Sequence, residues 1–78
     1  MRSNIQAGDF TQEFAIKIDE SVAGTTYIGK APVSSATSAA TWQIMKMVES
    51  AGTTTITWAD GNSVFDNIWD NRASLTYS

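Results

Sequence analysis

Apolar and polar residues alternate along residues 13–19, with Phe14, Ile16 and Ile18 on one side and Glu13, Lys17 and Asp19 on the other around Ala15. A period of two is what a half-buried strand needs, because successive side chains point to opposite faces. This is the clearest strand in the chain. Val22-Ala23-Gly24 breaks it, and Thr25-Thr26-Tyr27-Ile28 restores β-branched and aromatic residues up to about Lys30. The two segments are suited to pair as a hairpin.

Residues 41–49 alternate again, placing Trp42, Ile44 and Val48 on one side and Met45 and Met47 on the other. Both faces read as at least partly covered. Helical spacing also fits this stretch, through Trp42, Met45 and Glu49 or Ile44, Met47 and Val48, but its β-rich neighbours favour a strand. After the turn residues Ser50-Ala51-Gly52, residues 53–59 set Thr54, Ile56 and Trp58 against Thr53, Thr55 and Thr57, a polar, solvent-tolerant surface. Trp42 and Trp58 are expected on the same face of this pair. There they would form the core centre, with ~0.5–1.5 kcal/mol beyond area burial if the rings meet edge to face.

Asp60-Gly61-Asn62 carries turn chemistry. Phe65, Ile68 and Trp69 stand at i, i+3 and i+4, with Arg72 one step further, which predicts one or two helical turns. Ser63 and Asp66 resemble a helix cap. A type I′ hairpin at Asp60-Gly61 is the alternative. Leu75 and Tyr77 alternate in a short closing strand.

Two stretches lack periodicity. Residues 1–12 hold only Ile5 and Phe10 as large apolar side chains beyond Met1, and they read either as a disordered terminus or as an arm docking through those two residues onto a neighbouring subunit. Residues 31–40 are rich in Ala, Ser and Thr, contain Pro32 and have Val33 as their single large side chain, so an exposed loop is expected. Its length exceeds that of a tight connection, which suits either a binding loop or a flexible crossover.

Composition narrows the chemistry. A chain of 78 residues buries a modest core, and domains of this size usually lean on disulfides, a metal or a partner. With no Cys and no His, the common soft metal ligands and Cys- or His-based catalysis are excluded, which leaves a partner. A net charge of −3 with five scattered basic residues forms no stripe against successive phosphates, so nucleic acid is not the expected partner. No apolar run approaches a membrane span and the start lacks a signal-peptide pattern, so the expectation is a protein soluble where it is made. Charged residues make up 17% of the chain, below the ~25% of a typical soluble domain, so the surface is poorly protected against association.

Asp60, Asp66 and Asp70 are the candidate acidic constellation, able in principle to hold Ca²⁺ or Mg²⁺ or to serve a metal-dependent hydrolase or nuclease. Their spacing fits no EF-hand loop. The plainer reading is structural: solvated acids, or Arg72 buried against Asp66 or Asp70, since buried charges persist only when paired. No cofactor is expected.

Several motifs nevertheless carry a resemblance. Tyr27-Ile28-Gly29-Lys30-Ala31-Pro32, Ala36-Thr37-Ser38-Ala39-Ala40 followed by Trp42-Gln43-Ile44, Ile56-Thr57-Trp58-Ala59-Asp60-Gly61-Asn62 and the run from Phe65-Asp66-Asn67-Ile68-Trp69 through Asp70-Asn71-Arg72 to Tyr77 resemble a group of small, uncharacterised proteins of tailed bacteriophages. The likeness covers the chain from Tyr27 onward and brings no catalytic motif. It implies a virion component, made in the host cytoplasm, such as a capsid decoration or a neck or tail part.

The expectation is therefore a mainly β fold: residues 1–12 an extended N-terminal arm, and residues 13–78 one small antiparallel sheet or sandwich-like domain with a short C-terminal helical turn. Its function is non-enzymatic assembly with other virion proteins and with its own copies as a homo-oligomer, without nucleic acid or membrane. The candidate contacts are Ile5 and Phe10 on the arm, Pro32 and Val33 on the loop, and the threonine face Thr53, Thr55 and Thr57. The alternative is a host-surface or glycan-binding module of the adsorption apparatus, presenting Tyr27, Trp58 or another exposed aromatic.

Overall fold

The structure, a computed structural model, describes residues 13–78; the expected arm, with Ile5 and Phe10, lies outside them. The fold is mainly β. Strands β1 (Phe14–Val22), β2 (Thr25–Pro32), β3 (Ala40–Ser50) and β4 (Thr53–Trp58) follow one another in an antiparallel sheet of order β1-β2-β3-β4. A two-residue strand β5 (Asn67–Ile68) pairs with the start of β3, and a 3-10 helix runs over Trp69–Ser74. Residues 41–49 are thus strand, as their neighbours favoured. The sheet alternative is the one that forms, with a C-terminal segment laid over one face where a sandwich would have a second sheet.

Tight turns make this meander. Between β1 and β2 the chain reverses at Ala23-Gly24, with Gly24 at φ +77, and between β3 and β4 it reverses at Ala51-Gly52, where both residues have positive φ (52 and 84). Two left-handed residues in a two-residue loop give a type I′ turn, whose twist matches that of the strands. Near the end of β1 the register slips by one residue between Asp19 and Val22, and the Ser21 amide donates to Asp19 Oδ1 at 2.9 Å. This bulge bends the edge strand locally.

The register assigns every side chain to a face. Asp19 lies opposite Tyr27, Tyr27 opposite Lys46, and Gly29 opposite Ile44, so Tyr27, Gly29, Ala31, Trp42 and Ile44 share one side. That side holds the core: Trp42 and Ile44 are each 1% exposed and Trp69 6%. Trp42 and Trp69 meet with centroids 5.7 Å apart at 38°. At ~25 cal/mol per Å² and ~200 Å² per indole, burial of each ring contributes roughly 5 kcal/mol before entropy is counted. Gly29 makes the contact possible, because a Cβ there would overlap the Trp69 ring and stand 3.1 Å from Trp42 Cε3.

This arrangement corrects the expected core centre. Trp58 lies opposite Met45 in the β3–β4 register, and Met45 is three residues from Trp42, so Trp42 and Trp58 face opposite sides. The partner of Trp42 is Trp69, delivered by the C-terminal segment. The alternation in each strand was legible, but the register that matches one strand's faces to the next was not.

The C-terminal segment also departs from expectation. Asp60 and Gly61 both take positive φ (60 and 71) and the Asn62 amide donates to the Ala59 carbonyl at 3.4 Å, which is the I′ turn of the alternative reading. No ladder continues from it. The helical turn starts at Trp69, is a 3-10 turn, and has Ile68 at its N-cap without a side-chain hydrogen bond; Ser63 instead offers its carbonyl to Gln43 Nε2 at 2.9 Å. The closing strand is present as a bridge between Ala59 and Tyr77, reinforced by paired hydrogen bonds of 3.1 Å between Trp58 and Ser78.

The stretch 31–40 is more anchored than expected. Ala31 is fully buried and Pro32 ends β2. Trp42 Nε1 donates to the Ala36 carbonyl at 3.0 Å, and the Asp70 amide donates to the Thr37 carbonyl at 3.1 Å. Backbone groups, rather than large side chains, tie this loop to the core.

Candidate interaction surface

Among the described residues, no layer covers most of the opposite side of the sheet. Phe14, Ile16 and Ile18 on β1, Ile28 on β2, Met45 and Met47 on β3, and Ile56 and Trp58 on β4 share this side by register. Ile16 and Ile18 are each 62% exposed and Ile56 52%. At one end Phe65 reaches back and stacks on Phe14 with centroids 5.5 Å apart, leaving the middle and far end open. Four strands at ~4.8 Å spacing and about six residues at ~3.3 Å give a projected footprint of roughly 400 Å². Apolar patches of that size on a small protein are commonly functional.

Among the described residues, charge on this face stands at its ends. Lys30, opposite Ile16 and Gln43, places its ammonium 4.7 Å from the centre of the Phe14 ring. At the far end Glu20 and Glu49 line a shallow depression together with Thr26, Met47 and Thr54. The face is therefore basic at one end, apolar in the middle and acidic at the other.

The covered side is locked by polar contacts. Arg72 Nε donates to Asp19 Oδ2 at 2.8 Å, its Nη1 donates to the Trp69 carbonyl at 3.1 Å, and its guanidinium lies 4.6 Å from the Trp69 ring centre. The Tyr77 hydroxyl donates to the Arg72 carbonyl at 2.8 Å. Hydrogen bonds from Ser21, and then from Arg72, hold the Asp19 carboxyl down at about 2, against an ordinary 3.8. Burial, and next the neighbouring Tyr27, push the Tyr77 phenol up to about 12. The partner of Arg72 is thus Asp19, from the edge strand, and not Asp66 or Asp70. Fifty-three residues separate the pair, so spacing along the chain held no signal for it.

The sequence-derived contact residues fall in different places. Val33 is exposed just beyond half-buried Pro32, and its amide donates to the Glu13 carbonyl at 3.3 Å. Thr53 and Thr55 are exposed and Thr57 half-buried, on the side of β4 opposite Ile56 and Trp58. Pro32 and Thr53 stand at opposite ends of the sheet, so these residues do not form one patch. Ile5 and Phe10 lie outside the described residues. The residues that do form a patch, Ile16, Ile18, Met47, Ile56 and Trp58 among them, are not those the sequence pointed to. One signal was available: Met45 and Met47 opposed Trp42 and Ile44 on β3, so both faces of that strand carry large apolar side chains.

Among the described residues no group of three or more His, Cys, Asp or Glu is placed to hold a metal ion; Asp66 accepts from Asn67 Nδ2 at 3.2 Å. Nor is any described helix long and apolar enough to cross a membrane. Comparison with protein-family models, with curated proteins and with solved structures finds no match.

Proposed function

We propose that this chain is a non-enzymatic structural protein of a bacteriophage virion, a capsid decoration or a neck or tail component that acts by protein–protein assembly. Made in the host cytoplasm, it ends in the particle. The observation that supports this reading is the open apolar face of Ile16, Ile18, Ile56 and their neighbours, which has little use in an isolated domain and is suited to burial against another protein. A glycan module receives less support, because Tyr27 is buried, as are Trp42 and Trp69, and Trp58 is half-buried, whereas stacking on a sugar needs an accessible ring.

The test is quantitative mass spectrometry of particles purified from infected cells. Recovery at a fixed molar ratio to the major capsid protein is the expected result. Detection in the lysate but not in particles would sink the virion role.

A further inference from the structure

We propose that the open face is covered by the same face of a second copy of this chain, the two sheets packing as the halves of a β-sandwich about a two-fold axis that runs across the strands. This rests on the assembly reading above and names the partner.

Three observations carry it. The face is apolar across four strands, and sheets whose inner faces are both apolar pack ~10 Å apart, within about 30° of alignment. The first twelve residues carry three large apolar side chains, Met1, Ile5 and Phe10, against eight on the face.

The charges choose the arrangement. Glu49 stands six positions along β3 from Gln43, the residue opposite Lys30, a separation of about 20 Å. A two-fold axis along the strands would bring the Lys30 end of each copy over the Lys30 end of the other. An axis across the strands reverses one sheet end to end and keeps each strand over its own counterpart. Lys30 of the partner subunit, on β2, then falls between the lines of β1 and β3 at the end that carries Glu20 and Glu49. The contact is isologous, so the same ion pairs form twice, and the dimer leaves the Thr53, Thr55 and Thr57 side free for other virion proteins.

The experiment is sedimentation equilibrium of the full chain over a wide concentration range, with three variants alongside. The wild type should approach twice its single-chain mass of 8.4 kDa. Ile18→Lys should remain at single mass with an unchanged circular dichroism spectrum. Lys30→Glu should weaken association about tenfold or more through like-charge contact, and Lys30→Glu with Glu49→Lys should restore it. Dimerisation that ignores Ile18→Lys, or that the charge swap fails to rescue, would overturn the proposed packing. So would a wild type that stays monomeric, including one whose tryptophan emission shifts red on Phe10→Ser, the sign of cover by its own N-terminal residues. A monomer still recovered at fixed ratio in particles removes the self-pairing and leaves the assembly role. A dimer absent from particles does the reverse.

Discussion

The two faces of this sheet are built from the same strands and end differently. On one, Trp42 and Ile44 are sealed by Trp69 and held by the Arg72–Asp19 pair. On the other, Ile16, Ile18 and Ile56 of similar hydrophobicity stand in solvent. Alternation makes both faces apolar in β3, but the C-terminal segment is long enough to cover one. The face it covers makes the fold, and the face it leaves is available for assembly.

Substitutions should separate the two. The largest effect is expected at the indole contact: Trp69→Ala should cost about 3–5 kcal/mol, and Gly29→Val should do comparable damage by driving the ring off the sheet. Urea unfolding followed by tryptophan emission measures both, and a loss below about 1 kcal/mol would show that the segment is not what holds the fold. Next, Ile44→Ala should cost about 2–5 kcal/mol, whereas Ile18→Ala, its counterpart on the open face, should stay within about 0.5 kcal/mol for the monomer.

Acid should act on the covered face through Asp19. Its carboxyl is held at about 2 in the folded chain against an ordinary 3.8, by Ser21 first and Arg72 next, so the stabilisation from these contacts is complete above the ordinary value. It is lost as pH falls from there through about 2. Asp19→Asn should flatten the dependence of stability on pH over that window, and an unchanged slope would remove the Asp19 carboxylate, with its Ser21 and Arg72 partners, from the account. Tyr77 should titrate by ultraviolet absorbance near 12, not 10. One small effect is a gain: Ala51, at φ +52 in the β3–β4 turn, should stabilise the hairpin by about 0.5–1 kcal/mol when replaced by Gly or Asn.

Much of the local structure was legible. The alternation at Phe14, Ile16 and Ile18 marked β1, and Ser50-Ala51-Gly52 marked the β3–β4 turn, because a period of two and a left-handed Gly are properties of neighbouring residues. Three features were not legible for one shared reason. Trp42 meeting Trp69, Arg72 reaching Asp19, and Trp58 turning away from Trp42 all depend on pairing between distant residues. Even the helical turn was displaced, since Asn67 and Ile68 join β3 and so give up the helical spacing they display.

By itself, then, the sequence determined the strands, their turns and which residues alternate along each, since backbone sterics and side-chain period act over a few positions. It also supplies no Cys or His side chain. The tertiary structure decided which of two apolar faces became the core. Strand register joins each face to the next, and the covering segment, drawn to the notch at Gly29 that admits Trp69, is too short to bury both.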